Sequence, residues 1–377
     1  MTKTLRVGMI GYQFMGRAHS NAWRQAPHFF PLKAGVELHT ICGRNPANVE
    51  AARAQLGWQY AVSDWRQVVD SPEIDIVDIN TPNDSHAEIA IAAARAGKHV
   101  LCEKPLALSV KQCEAMVAAV KQAKVVNMVC HNYRRIPAIA QAKRMIDDGA
   151  IGQIYHYNAR YAQDRLVDKN APIVWRMNKK ISGSGALGDI HSHIIDLGRY
   201  LVGEFAEVSG LMHTFIKERP ISGSSGGKMG RVTVDDTSMF IGRFKNGALA
   251  NLEATRFALG RKNYIRVEIN GSLGSLFFDF EDMNRLKFFD NTNPLDRQGF
   301  RDILVTQRGE VHPYVGHWWP PGHIIGYEHT FVHTIVDFVN ACVDGKSVQP
   351  TFQDGLMNQR VLEAVEKSAG SRAWVKV

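Results

Sequence analysis

Leu5-Arg6-Val7-Gly8-Met9-Ile10-Gly11-Tyr12-Gln13-Phe14-Met15-Gly16 decides the fold. An apolar run, a glycine turn and a helix from about Arg17 follow in the order that a dinucleotide-binding strand–turn–helix unit requires. Gly11 permits the tight turn and Gly16 lets helix and strand pack closely. Gln13, Phe14 and Met15 lie where a pyrophosphate would meet the free N–H groups of the helix start. Gln13 stands where G-x-G-x-x-G has its second glycine, so an ordinary strand–helix turn also fits this stretch alone.

The pattern repeats outward. A second strand, Val36 to Cys42, ends in Gly43-Arg44-Asn45-Pro46 and is followed by a helix, Pro46 to Leu56. No acidic residue is present there to bind the adenosine ribose. Arg44 suits a 2′-phosphate or stacking on adenine, so NAD and NADP both stay open. A third strand, Ile74 to Asn80, runs into Thr81-Pro82-Asn83-Asp84-Ser85-His86. An alanine-rich helix, Ala87 to Ala96, is closed by Gly97. The strand Lys98 to Cys102 ends in Glu103-Lys104-Pro105, and Val125 to Cys130 runs into His131-Asn132-Tyr133-Arg134-Arg135. This alternation predicts a doubly wound parallel sheet, a Rossmann domain over residues 1–131. Ligands of open α/β sheets bind at the carboxyl ends of the strands, where the ammonium of Lys104 can polarise an oxygen. A solvated loop lysine is the plainer alternative.

After a helix from Ala138 to Asp147 the character changes. Ile154–Tyr161, Val208–Ile216, Val232–Phe244, Leu249–Arg256, Tyr264–Asn270, Ser275–Asp279 and Leu286–Phe289 read as strands, with hairpin turns at Asn246-Gly247 and Asn270-Gly271. The expectation is an α+β domain over 132–377 with a mainly antiparallel open sheet. Within it, the loop Gly183-Ser184-Gly185-Ala186-Leu187-Gly188 leads to Asp189-Ile190-His191-Ser192-His193-Ile194-Ile195-Asp196. Asp189 is expected to open a helix. One turn on, His193 shares its face, so the carboxylate can orient the imidazole and raise its basicity. A capping aspartate with a packed histidine is the alternative. A zinc set of His191, His193 and Asp196 is disfavoured, because i and i+2 diverge on a helix. Trp318 to His323 reads as a rigid aromatic loop. His329 and His333, on a helix from Glu328 to Val343, read as packing, and a last helix spans Gly355 to Ala369.

The chain has 377 residues, a net charge of +8 and five cysteines. It has no run of five basic residues and no basic–aromatic repeat, which argues against a nucleic-acid partner. An anionic cofactor or substrate accounts for the charge. Five widely spaced cysteines in apolar settings suit reduced thiols in a cytoplasmic protein. No signal segment and no membrane-spanning stretch is apparent. No metal is expected.

Thr81-Pro82-Asn83, Ala96-Gly97-Lys98-His99-Val100, Glu103-Lys104-Pro105 and Asn132-Tyr133-Arg134-Arg135 together resemble the glucose–fructose oxidoreductase, inositol dehydrogenase and rhizopine-catabolism family of sugar dehydrogenases. The likeness covers nearly the whole chain. Within the family it runs toward the levoglucosan dehydrogenases, through Gln163-Asp164, Trp175-Arg176, Gly183 to Asp189 and Tyr200 to Phe205. The resemblance implies a cofactor set of Gly11, Gln13, Phe14, Met15, Gly16, Arg44, Thr81, Pro82, Asn83, His86, Glu103, Lys104, Asn132, Trp175 and Arg176. Glu103 and Pro105 would shape a turn with a cis peptide. It assigns catalysis to Lys104, Asp189 and His193. The sugar would meet Lys104, Tyr133, Arg134, Gln163, Asp164, Arg165, Lys180, Asp189 and His193. Arg165 and Lys180 depart from the branch's pattern, and two added cations there suit an anionic sugar, though loop drift explains them as well. The activity implied is NAD(P)-dependent oxidation of a secondary hydroxyl of a cyclic sugar, with C3 the expected position. A homodimer or homotetramer would form through the C-terminal sheet. Two other readings stay open. One is glycoside cleavage through transient C3 oxidation and elimination. The other is a cofactor-binding sensor, favoured by Gln13 and opposed by the full Lys104, Asp189 and His193 set.

Overall fold

The computed structural model describes residues 3–222 and 228–377. They form two units. The first runs to Arg135 and takes in Ile325–Met357; the second comprises Ile136–Ile324 and Asn358–Val377. The single cut expected after residue 131 differs from this partition. The helix Tyr327–Asp344 belongs with the first unit, where it packs against the helix Phe14–Phe29 and the turn Asn132–Arg135. The Arg135 guanidinium lies 2.8 Å from Asp337, and its carbonyl lies 2.9 Å from Nδ1 of the buried His333.

The first unit holds six parallel strands: β1 (Thr4–Ile10), β2 (Gly35–Cys42), β3 (Tyr60–Val62), β4 (Ile76–Ile79), β5 (His99–Cys102) and β6 (Asn127–Val129). Their order is β3-β2-β1-β4-β5-β6. The order reverses between β1 and β4, which opens a ligand crevice at their carboxyl ends. The sequence reading missed β3, whose three residues carry too short a pattern to register. It also drew β4 and β6 too long: Ile74 N–H turns back to Ser71 O at 3.4 Å and Val125 N–H to Val120 O at 3.3 Å, so neither joins its strand. Lys98 shows why a lysine sits at a strand entrance: its Nζ donates to the carbonyls of Ser71 and Ile74, both at 2.7 Å. Among the described residues no helix is long and apolar enough to cross a membrane.

The second unit is a nine-stranded mixed sheet. Its strands are β7 (Ile154–Ala162), β8 (Phe205–His213), β11 (Thr237–Phe244), β12 (Leu249–Thr255), β13 (Tyr264–Gly271), β14 (Gly274–Asp279), β15 (Arg285–Asp290), β16 (Arg301–Leu304) and β17 (Val375–Lys376). A separate hairpin pairs β9 (Glu218–Pro220) with β10 (Met229–Arg231). The order is β16-β15-β14-β13-β7-β12-β11-β8-β17, antiparallel except for the parallel pair β7 and β12. The long strand expected over Val232–Phe244 is broken. Asp235 and Asp236 interrupt it because their carboxylates are taken up elsewhere: Asp235 by the N–H groups of Gly185 and Leu187, Asp236 by those of Phe215 and Ile216. One face of the sheet packs against the helix Ser192–Leu201, where Tyr157 Oη donates to Ile194 O at 2.7 Å. The other face shows Leu211, Met239, Ile241 and Leu249 to solvent.

Candidate functional site

At the crevice of the first unit, Gly11 has φ +104°, and a Cβ there would lie 2.5 Å from the carbonyl oxygen of Asn80. A Cβ on Gly16 would lie 2.2 Å from Gly11 O, so strand and helix pack as closely as the motif predicts. The helix Phe14–Phe29 starts with Gln13 at its cap and no side-chain bond to its first turn. Its leading N–H groups can therefore serve an anion. At the end of β2 the ring of Tyr12 covers Gly43, where a Cβ would sit 2.0 Å from Cε1. The sequence reading gave Tyr12 no role, because its place over Gly43 exists only once β1 and β2 are paired. Arg44 is exposed beside it. A close-packed glycine turn leading into a helix start with no side-chain cap fits a dinucleotide.

The next two strand ends are joined by one buried histidine. Asn83–Ser85 form a single helical turn, and Ser85 Oγ donates to Thr81 Oγ1 at 2.7 Å. His86, fully buried, places Nε2 3.0 Å from Thr81 O and Nδ1 3.0 Å from Pro105 O. Burial lowers its pKa more than these carbonyls raise it. His86 was expected at the cofactor; here it locks the Thr81 loop to the Lys104 loop. The Lys104–Pro105 peptide is cis. Lys104 is half-buried, and its backbone N–H donates to Oε2 of Glu103 at 3.1 Å. Asn132 Nδ2 donates to Thr330 Oγ1 at 2.8 Å. Tyr133 is buried, with its ring 6.4 Å from that of Tyr327. Arg134, expected at the sugar, is buried and lies 3.5 Å from Asp354.

In the second unit the loop before Asp189 is built around Asp235. Its Oδ1 accepts from Gly185 N at 2.7 Å and its Oδ2 from Leu187 N at 2.8 Å. Burial pushes the Asp235 carboxyl up in pKa while these two bonds oppose it. A Cβ on Gly185 would lie 1.7 Å from the Asp235 carbonyl, so only glycine fits. The chain then makes a wide π turn, Leu187–His191, before the helix Ser192–Leu201. Asp189 therefore lies within the first turn and does not open the helix. Wide turns of this kind recur at functional sites. Asp189 Oδ2 accepts from Arg256 Nη2 at 2.6 Å, and Arg256 is 1% exposed. Sequence reasoning ended a strand at Arg256 but gave it no role.

His193 is buried, with its ring 5.9 Å from that of Tyr161. Tyr161 Oη and Gln163 Nε2 both donate to Asn263 Oδ1, at 2.6 and 2.8 Å. Asp164 Oδ2 accepts from Lys262 at 2.6 Å. That bond, stronger than the opposing burial, holds the carboxyl below its usual range. Lys262 and Asn263 are further residues the sequence reading missed. Both sit in a loop with no motif. The Arg176 guanidinium stacks 4.4 Å from the Trp175 ring centroid. Arg165 and Lys180 are exposed. His191, set apart from this group, turns inward to Ser238 Oγ at 2.6 Å.

A parallel sheet with a glycine turn at its switch point, followed in the chain by a mixed open sheet, is the architecture of a dinucleotide-dependent oxidoreductase. The chain belongs to the GFO/IDH/MocA family. Residues 5–131 match its oxidoreductase NAD-binding Rossmann fold and 139–277 its C-terminal domain. It is 45% identical to levoglucosan dehydrogenase of Pseudarthrobacter phenanthrenivorans, over 100% of this chain and 98% of that one. Among solved structures, levoglucosan dehydrogenase in complex with NADH and levoglucosan is 46% identical, with TM-score 0.95 and coverage of 100% and 99%. An oxidoreductase domain protein from Kribbella flavida is 53% identical, with TM-score 0.96 and the same coverage. The chain is thus a sugar oxidoreductase of an NAD-binding family.

Proposed function

We propose that this chain oxidises a secondary hydroxyl, at C3, of a neutral cyclic sugar of the levoglucosan type, with NAD as acceptor. The observation that most supports it is the Asp189–Arg256 pair one turn ahead of His193. A buried guanidinium holds that carboxylate in place, which suits a proton-accepting histidine on the next turn. An alcohol gives up its carbinol hydrogen readily only as its O–H proton leaves. His193 takes that proton, and Asp189 supports the imidazolium that forms. Lys104 stabilises the developing alkoxide. Nicotinamide, when bound, supplies the hydride acceptor. The sugar gains a carbonyl, the cofactor gains a hydride (one proton with two electrons), and the hydroxyl proton leaves through His193.

Gly11, Gln13, Gly16 and Thr81 to Asn83 would hold the cofactor, Arg44 would stack on adenine, and Gln163, Asp164 and Tyr133 would hold the ring. Five buried thiols with no disulfide suit a reducing, cytoplasmic compartment. The outward apolar sheet face suits self-association into a dimer or tetramer.

The test is NADH absorbance with levoglucosan and a panel of neutral and anionic sugars. Levoglucosan or a close neutral sugar is expected to turn over, and Lys104→Ala to lower kcat by about 100-fold or more with the NADH Kd unchanged. Near-normal turnover of that variant refutes the role of Lys104. A preference for uronates or sugar phosphates would bring Arg165 and Lys180 into the site. Release of an aglycone without net NADH would indicate the elimination route, and NADH binding with no turnover a sensor. Tighter binding of NADPH than NADH would reverse the cofactor assignment.

A further inference from the structure

The proposed reaction makes no use of His19, Asp78 or Cys130, yet these form a buried polar cluster of the first unit. His19 lies on the opening helix and is 1% exposed. Its Nδ1 is 3.0 Å from both carboxylate oxygens of Asp78 in β4. Its Nε2 is 3.1 Å from Oε1 of Glu103 and 3.6 Å from Sγ of Cys130. Asp78 is held in turn by Trp23 Nε1 at 2.7 Å and Asn80 Nδ2 at 2.9 Å. The Phe331 ring closes the remaining side, 5.4 Å from the imidazole. The second oxygen of Glu103 accepts the backbone N–H of Lys104. One unbroken chain of contacts thus runs from Asp78 through His19 and Glu103 to the backbone of Lys104.

Ionised carboxylates only accept hydrogen bonds, so a ring facing one at each nitrogen has an N–H on both. Burial alone would strip that proton. The Asp78 charge and hydrogen bond, with Cys130, outweigh burial and hold the His19 pKa well above the ordinary value. Burial likewise pushes Glu103 up, but the His19 hydrogen bond and charge, with the charge of Lys104, bring it below the usual range. Without the ring, two buried carboxylates would lack a shared counter-charge, and Glu103 would be free to rotate off the Lys104 backbone.

We propose that His19 is a positioning residue for Lys104: its ring, bridging Asp78 and Glu103, fixes the Glu103 carboxylate and through it the backbone that aims the lysine. This rests on the reading of Lys104 given above. The competing occupant of the same atoms is a divalent metal: His19, Glu103 and Cys130 each offer a ligand atom, all within 4.8 Å of one another. A divalent metal would need the lone pair of Nε2, which the bridge uses as an N–H.

Two measurements on the full chain decide. In the first, nitrogen NMR of the ¹⁵N-histidine-labelled wild-type protein at pH 8 is expected to show one ring protonated at both nitrogens. A neutral ring, or a metal-ligated Nε2 with zinc copurifying at one per chain, overturns the proposal whatever the activity. The second is a kinetic cycle with the fastest sugar of the panel. His19→Gln is expected to lower kcat about tenfold, with the KM for NAD unchanged within about threefold. In the Lys104→Ala background the same change should cost less than about twofold. Equal losses in both backgrounds mean that His19 acts through the fold at large, which overturns its link to Lys104. Near-normal turnover of Lys104→Ala alone instead removes the reading of Lys104. If His19→Gln does not fold, Asp78→Asn takes its place in the cycle.

Discussion

Arg256 is the residue that holds Asp189 in the second unit. It is almost wholly buried, and its guanidinium donates both to Asp189 and to the carbonyl of Gly185 at 3.2 Å. Removing one member of a buried ion pair leaves the other uncompensated, at about 3–5 kcal/mol. Arg256→Met is therefore expected to lose about that much stability in urea and most of its turnover. Adding Asp189→Asn removes the stranded charge, so the double variant should regain stability but not turnover. Recovery of both would show that Asp189 has no part in the chemistry.

His191 and His333 each weaken the fold in acid. Burial lowers each to a pKa of about 3, and in His333 this outweighs the hydrogen bond to Arg135 O. Unfolded histidine binds its proton near pH 6.5. Between pH 6.5 and 3 the unfolded chain thus holds protons that the folded chain refuses. Stability falls as pH falls through that window, by about 1.4 kcal/mol per pH unit for each group. His333→Gln is expected to lose about 3 kcal/mol less than the parent between pH 7 and 4, read from urea unfolding at the two pH values. An unchanged difference would mean that His333 takes up its proton in the folded state.

At the scale of elements, the π turn hangs from Asp235. The carboxylate holds two backbone N–H groups at the start of the turn, and Gly185 lies against the Asp235 backbone. Asp235→Asn keeps the shape but replaces one acceptor with a donor facing an N–H. An unsatisfied buried pair costs about 1–3 kcal/mol. Turnover should fall with stability while NADH affinity in the first unit stays the same, measured by fluorescence titration. A variant with full turnover would uncouple Asp235 from Asp189. This turn also marks where sequence reading stops. The strands β1 and β5 were legible because each is a largely buried apolar run closed by Gly11 or the Glu103-Lys104-Pro105 end, and β2 because its buried end runs into Gly43. Asp189 and His193 were legible as a spacing. The π turn was not, because its width depends on Asp235, 46 residues away in sequence. Arg256, Lys262 and His19 were illegible for the same reason: each acquires meaning from a partner that only the folded chain brings near. The broken strand over Val232–Phe244 is the converse case. Its apolar pattern continued, and two aspartates with distant backbone partners ended it.

For the whole molecule, the question is what covers the outer sheet face. In β11 the residues Ser238, Phe240, Gly242 and Phe244 point inward, so Met239 and Ile241 must point out. Met239 stands beside Leu211 of β8 in register, and Ile241 is 51% exposed, with Leu249 of β12 nearby at 45%. The charged residues Arg160, Glu253, Arg243 and Glu207 pair around this strip, Arg160 with Glu253 at 3.0 Å and Arg243 with Glu207 at 3.3 Å. An apolar strip rimmed by polar pairs is the make-up of an interface, and a two-fold axis through it would set the strip of one chain on the same strip of another. The wild-type chain is therefore expected to run as a dimer or a multiple of one at micromolar concentration in light scattering. Ile241→Glu buries an unpaired charge twice in each such contact and should yield monomer. Because the strip lies on the face opposite the helix that carries His193, the monomer should keep its NADH affinity. A wild-type chain that is already monomeric, or a variant that stays assembled, would place the interface elsewhere.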